Sequence, residues 1–300
     1  MSRSHLLYYL KQFLYGAAMG AANTVPGVSA GTMALIFNIY EKLLDSIKAF
    51  AQADFWRALV GLRLRDAWAI VNGGFLLSLG VGVLLALLVV AYWLERLLES
   101  HPSLVWAFFF GLILASLWSV GRRVRQWSLT TITVLSLGAL AAFFLVSLTP
   151  AQTPNSWWFL LLAGALAVCA LILPGISGAL VLVLLGKYEF VVAAVNARDF
   201  LSLAILALGG IIGILGFAQI LSYLFKHYYN LTLALLTGFI LGSLRKVWPW
   251  QVLEGEFSRN VLPVWMVNGA FNGEIIWALL LALFAFGLVV VVDIQGSDTA

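Results

Sequence analysis

The sequence predicts an all-α integral membrane protein made of two inverted structural repeats, each a Pro-Gly-broken re-entrant helical hairpin followed by three transmembrane helices. Three observations carry that expectation. Hydrophobic residues make up 63% of the chain and charged residues 10%, with a mean hydropathy of +1.01, which leaves too little polar surface to coat a soluble particle of 300 residues. Uncharged runs long enough to cross a roughly 30 Å hydrocarbon core occur at 69–93, 104–121, 128–149, 200–225, 228–244 and 275–292. Two further runs, 12–40 and 156–186, are each interrupted by Pro-Gly.

The broken runs begin two copies of one pattern. A shift of 148 lays Gly16-Ala17 on Gly164-Ala165, Val25-Pro26-Gly27-Val28-Ser29 on Leu173-Pro174-Gly175-Ile176-Ser177, and Tyr40-Glu41 on Tyr188-Glu189. Further along, a shift of 127 lays Gly111–Leu117 on Gly238–Leu244, so the first copy carries about 21 extra residues, expected around 57–73. The 300 residues therefore read as a single membrane domain, with repeat one at about 12–149 and repeat two at about 156–292.

Proline removes a backbone hydrogen bond and clashes with the preceding turn, while the following Gly permits a sharp bend, so each broken run stops at its middle. Arms of about 14 residues reach only about 21 Å, short of the membrane thickness, which favours a hairpin over one broken crossing. A hairpin plus three spans per half inverts the second copy; four spans would leave the copies parallel. With hairpins and an internal N-terminus, six of the 17 Lys and Arg fall outside (Arg96, Lys187, Arg198, Arg245, Lys246, Arg259) and the other eleven inside. Broken single crossings with an external N-terminus divide them no less unevenly, so charge leaves the choice open. The segment 41–66 is amphipathic enough to lie on a surface, and Trp93, Trp106, Trp127, Trp157, Trp158, Trp248 and Trp250 flank the spans.

Two tips entering from opposite faces meet near the midplane, where irregular backbone must be buried or line a wet cavity. The first, Asn23-Thr24-Val25-Pro26-Gly27-Val28-Ser29-Ala30-Gly31-Thr32, is unusually polar and small for that depth. Free N–H groups at the helix opened by Ser29 and Thr32 form an anion site. Pro174-Gly175-Ile176-Ser177-Gly178 offers a plainer second copy. The competing reading is that these small residues only pack and cap helices. Glu41 and Glu189, matched at the ends of apolar arms, are candidates for proton coupling; alternatively, with Lys42 and Lys187, they are solvated helix-end charges. Arg122, Arg123, Arg125, Arg245 and Lys246 read as interfacial anchors rather than ligands, although any of them can attract a lipid phosphate. The Gly-rich stretches 72–82 and 209–216 read as packing faces.

Several classes are excluded. The single Cys169 forms no internal disulfide, and His5, His101 and His227 lie far apart, so no cofactor and no metal centre is expected. A net charge of +4 scattered among spans does not make a nucleic-acid surface. Residues 1–30 resemble a signal peptide in outline, but their match in the middle of the chain argues for a structural segment.

The segments N-T-V-P-G-V-S-A-G-T…Y-E-K (Asn23–Thr32, Tyr40–Lys42) and L-P-G-I-S-G…G-K-Y-E (Leu173–Gly178, Gly186–Glu189) resemble those of the PopT-type polyprenyl-phosphate transporters of bacteria and archaea. The likeness covers nearly the whole chain. It implies return of undecaprenyl phosphate, the lipid carrier of cell-wall sugars, to the inner leaflet of the cytoplasmic membrane. The family's motifs fall on Asn23, Pro26, Gly27, Ser29, Gly31, Thr32, Tyr40 and Glu41, and on Pro174, Gly175, Ser177, Gly178, Tyr188 and Glu189; Gly178 and Ala179 replace Ala30 and Gly31 and no Thr follows. Membrane lipids are the other expected partners. The membrane undecaprenyl-diphosphate phosphatases are similar in repeats, hairpins and a P-G-x-S motif, but that chemistry needs an Arg beside the serines and facing carboxylates, where this chain has Ala30 and Gly178. A transporter of a small soluble anion fits the same architecture.

Overall fold

The computed structural model describes residues 3–24, 29–254, 257–264, 266–267 and 270–297. The first half contains α1 (Arg3–Asn23), α2 (Ala30–Ile36), α3 (Tyr40–Ala49), α4 (Ala53–Val60), α5 (Leu64–Ile70), α6 (Gly73–Ser100), α7 (Pro102–Gly121) and α8 (Leu129–Leu145). The second contains α9 (Trp157–Ile172), α10 (Gly178–Leu184), α11 (Tyr188–Asn196), α12 (Phe200–His227) and α13 (Tyr229–Ser243), then a 3-10 turn (Leu244–Val247). Two short antiparallel hairpins follow, β1 (Gln251–Glu254) with β2 (Phe257–Asn260) and β3 (Met266–Val267) with β4 (Ala270–Phe271), before α14 (Gly273–Ser297). These strands are an addition that the apolar periodicity does not reveal.

Local chemistry sets the boundaries. Pro102 opens α7, where a missing N–H is no loss. Ser128 and Thr131 close a reciprocal capping box at α8, and the Asp199 carboxylate accepts the Ser202 N–H at the start of α12. Among the described residues, four helices are long and apolar enough to span a membrane (Gly73–Ser100, Pro102–Gly121, Phe200–His227, Gly273–Ile294), or up to five if α10 and α11, bent by 102°, count as one. The protein is therefore a multi-pass membrane protein. The runs expected at 128–149 and 228–244 form α8 and α13, only 17 and 15 residues long, or about 25 and 22 Å.

Each broken run folds back, with unequal arms. α1 has 21 residues and α2 has 7, against the 14 expected of each, because Asn38, at φ +56°, ends the returning arm early. The chain comes back to the end where it started: Tyr15 stacks on Phe37 at 4.2 Å, and Lys42 Nζ donates to Tyr8 Oη at 2.6 Å. In the second half a β-carbon on Gly178 would lie 2.6 Å from Ala167 O, so α10 lies against α9.

Helices pair through glycine. A β-carbon on Gly16 would stand 2.0 Å from Leu79 O, and one on Gly164 2.0 Å from Leu206 O, which sets α1 beside α6 and α9 beside α12. The other two close pairs join the halves. Gly111 of α7 faces Ala282 of α14, and Gly238 of α13 faces Leu135 of α8. Between the pairs lies one core containing Leu35, Ile36, Phe109, Ile113, Leu236, Ile240 and Val289. Leu84, Leu88, Ile211, Ile212, Leu283 and Phe284 face outward, as lipid-facing residues do. The amphipathic α3, α4 and α5 lie across one end of the bundle: Lys48 Nζ reaches Ser222 Oγ at 3.2 Å near the close of α12. Nothing helical separates α11 from α12, so α4 and α5 are where the extra residues of the first half go.

The opposite end gathers the close of α8, α10 and the turn after α13. There the Ala151 N–H donates to Leu184 O (2.8 Å) and Arg245 donates to Ser147 Oγ (2.8 Å).

Candidate functional site

The two tips meet in the interior. α9 stops at Ile172, which leaves the carbonyls of its last turn without intrahelical donors. The other hairpin supplies them. Ser29 Oγ lies 2.8 Å from Leu173 O and 3.2 Å from Leu171 O, and Tyr40 Oη donates to Ile172 O at 3.2 Å. In return, Thr32 Oγ1 accepts the Gly175 N–H at 3.2 Å. Ser29, Thr32 and Tyr40 are all buried, so this is a satisfied polar network in a low-dielectric setting, where each missing partner is costly.

Glycine makes the approach possible. A β-carbon on Gly31 would lie 2.0 Å from Ile172 O, inside any van der Waals contact. Gly175 takes φ +78°, the left-handed region, and a β-carbon there would come within 2.6 Å of Phe239 O.

The N–H groups expected to point freely into a cavity are partly engaged. Ser29, as N-cap of α2, accepts the Gly31 N–H with its hydroxyl (3.1 Å) and the Thr32 N–H with its carbonyl (3.0 Å). Ser177 occupies the corresponding N-cap of α10 and is 6% exposed, yet its hydroxyl caps nothing and has no partner among the described residues. Pro174 and Gly178 are buried beside it. Asn23 is the last residue of α1, half-buried. Pro26 and Gly27 lie outside the described residues.

The structure therefore brings Ser29, Gly31, Thr32 and Gly175 together and leaves both glutamates away from them. Glu41 sits on α3 at the first end of the bundle, near Asp45 and Lys226; desolvation, then the Asp45 charge, push its carboxyl up, against the opposing pull of Lys226 and Arg125. Glu189 lines a cavity of about 710 Å³ at the second end, with Thr153 and Lys187. Lys187 is not a solvated helix-end charge. It is 1% exposed, and its ammonium donates to Thr153 O (2.8 Å) and Asn155 Oδ1 (2.6 Å), tying the 150–155 segment to the bend after α10.

Sequence reading also passed over Asp293. Its side chain is 1% exposed and pairs with Arg122 (2.5 Å) and Arg123 (2.7 Å). Arg123 Nη1 donates to Leu35 O at 2.8 Å and Nη2 to Ile36 O at 3.2 Å, capping the carbonyl end of α2. Arg123, read as an interfacial anchor, locks the first hairpin to α14, and Arg122 adds a second ion pair to Asp293. The available signal was an aspartate closing a long apolar run. Among the described residues no group of three or more His, Cys, Asp or Glu converges.

A multi-pass helical bundle with two broken hairpins joined tip to tip is the class that these contacts define. The undecaprenyl phosphate translocase-like family matches residues 19–260, and the chain belongs to that family. It is 41% identical over 245 residues to the polyprenyl-phosphate transporter of Vibrio cholerae serotype O1 (strain ATCC 39315 / El Tor Inaba N16961), covering 81% of this chain and 79% of the relative. It is 27% identical over 257 residues to the polyprenyl-phosphate transporter of Staphylococcus aureus (strain NCTC 8325 / PS 47), covering 79% of this chain and 85% of that one. No solved structure matches the chain.

Proposed function

We propose that this protein is a polyprenyl-phosphate transporter that carries undecaprenyl phosphate across the bacterial cytoplasmic membrane, returning the lipid carrier to the inner leaflet for cell-envelope synthesis. The 41% identity to a protein named polyprenyl-phosphate transporter carries the substrate assignment. A phosphate head cannot cross hydrocarbon alone, whereas the polyprenyl tail can stay in lipid, so the protein need supply only a polar path for the head.

The tip junction is that path in its closed form. Ser29 Oγ–H, Gly31 N–H and Gly175 N–H are donors that satisfy protein oxygens while the tips touch, and they are of the kind that a phosphate oxygen accepts. Separation of the tips frees Ser29 Oγ–H from Leu173 O and Gly175 N–H from Thr32 Oγ1 for the head group. Ser29, Gly31 and Thr32 on one side, with Pro174, Gly175, Ser177 and Gly178 on the other, form the site, joined by Asn23, Pro26 and Gly27.

Two inverted repeats, 12–149 and 156–292, rocking about this junction would open it to each leaflet in turn. Their support is the repeated order of elements and the matched pairs α1 with α6 and α9 with α12. Glu41 and Glu189, at opposite ends, are the candidates for proton coupling. Arg123 touches the first hairpin at its carbonyl end, remote from Ser29, which favours transport over the phosphatase chemistry that needs a cation beside the serine.

The test is a leaflet-resolved assay of labelled undecaprenyl phosphate in proteoliposomes, with and without a pH gradient. Movement above protein-free vesicles, without phosphate release from undecaprenyl diphosphate, is expected. No movement together with no binding would sink the proposal.

A further inference from the structure

The two pairs that join the halves end differently. In α7 with α14, the chains beyond the Gly111–Ala282 crossing bring Arg122 and Arg123 onto the buried Asp293. In α13 with α8, beyond the Gly238–Leu135 crossing, Arg245 arrives instead at Ser147. The residue as far past Leu135 as Asp293 is past Ala282 (135 to 146, 282 to 293) is Val146, so no carboxylate stands there. Arg245 is nevertheless held: one guanidinium N–H donates to Ser147 Oγ at 2.8 Å, and the guanidinium carbon lies 4.8 Å from the Phe143 ring centre. Its other donors, and the ammonium of Lys246, have no partner among the described residues.

These two cations border a cavity of about 390 Å³, within the range of small-ligand pockets of about 300–1,000 Å³. Leu180, Val183 and Leu184 of α10 give the same cavity apolar lining. Two cations and a hydroxyl lining one cavity with aliphatic side chains suit a phosphate monoester on a hydrocarbon chain, since a guanidinium matches phosphate oxygens two at a time. α10 is the returning arm of the second hairpin, so an occupant here touches the element that carries Ser177 and Gly178.

We propose that this cavity is the docking site for the phosphate head of a polyprenyl phosphate at the second end of the bundle, with its first isoprene units along α10. The assignment rests on the transport reading above and adds to it a place where the lipid is held before the tips part.

Binding of radiolabelled undecaprenyl phosphate to the full-length protein in nanodiscs of zwitterionic lipid tests it. Arg245→Gln with Lys246→Gln should lower affinity at least about tenfold, the loss of charge-assisted hydrogen bonds. Arg57→Gln, on exposed α4 at the other end, should change nothing. Should the double variant fail to fold, Lys246→Gln alone, which breaks no contact among the described residues, should still weaken binding about threefold. Inorganic phosphate should compete only weakly, and Val183→Asn should weaken the lipid and not inorganic phosphate; equal binding of the two ligands, with no effect of Val183→Asn, would overturn the lipid assignment. Undiminished lipid affinity in a folded Lys246 or double variant sinks this site alone while transport stands. A wild-type protein that neither binds nor moves the lipid removes both.

Discussion

The two hairpin tips share a Pro-Gly-[Val/Ile]-Ser sequence, yet their serines do different work. Ser29 and Tyr40 of the first hairpin fill the open carbonyls at Leu171–Leu173, whereas Ser177 of the second makes none of these bonds. Matched sequence at two tips does not make them equivalent: the first supplies hydroxyl donors to the carbonyl end of α9, and the second returns only the Gly175 N–H, to Thr32. The difference reappears at the bundle ends, where the cations closing α7 meet Asp293 and Arg245 after α13 meets a hydroxyl.

The sharpest way to break this comparison is to force the tips apart. A side chain at Gly31 would stand 2.0 Å from backbone Ile172 O, which cannot yield. Gly31→Val should cost about 3 kcal/mol or more and abolish transport. Gly216→Ala, with nothing within 4 Å of its new methyl, should gain about 1 kcal/mol from helix propensity. Thermal unfolding in detergent separates them; similar midpoints would mean that the tips are not in contact.

Next in size is the contrast between the ends. Asp293→Asn leaves Arg122 and Arg123 facing a neutral group at a buried position. The cost should be about 2–3 kcal/mol, near the bottom of the range for a broken buried pair, because Arg122 is 38% exposed and partly hydrated. Ser147→Ala at the other end should cost under about 0.5 kcal/mol. Equal losses would show that both ends are held alike.

A third comparison returns to the serines. Ser29→Ala removes an N-cap and the donor to Leu173 O, for about 1–2 kcal/mol, while Ser177→Ala should stay within about 0.5 kcal/mol. Chemical unfolding of the two variants side by side checks the ratio; a larger loss at Ser177 would show that Ser177, not Ser29, is the serine that holds the junction.

Much of this architecture was legible beforehand because hydropathy and Pro-Gly breaks act locally. The runs at 69–93, 200–225 and 275–292 became α6, α12 and α14 nearly in place, since a segment uncharged for that length has one stable solution in lipid. The breaks fell where Pro and Gly demand them. What stayed hidden was long-range pairing: that Ser29 would spend its hydroxyl on residues of the other half, that Lys187 would be swallowed by the 150–155 segment, and that Asp293 would receive two arginines. Each depends on which chain segments become neighbours. The strands at 251–260 were hidden for a different reason, being too short to show a period of two.

The smallest expected effect concerns the matched glutamates. Burial and the Asp45 charge raise the Glu41 carboxyl above its ordinary 4.5, so the folded state holds this proton more tightly than the unfolded chain. The stability Glu41 contributes is therefore fully present below pH of about 4.5 and is lost as pH rises through the folded value. Glu41→Gln should flatten that part of the pH–stability curve and leave the variant slightly the more stable near neutrality, an effect kept small by the exposure of the side chain. Urea unfolding of both proteins between pH 4 and 7 measures it, and a curve whose slope is unchanged by the substitution would remove Glu41 from the groups that titrate with folding. If Glu41 also couples protons to transport, the same variant loses the pH dependence of lipid movement while head-group binding stays nearly intact, which distinguishes a proton-handling carboxylate at this end from a charge that only sits at the surface.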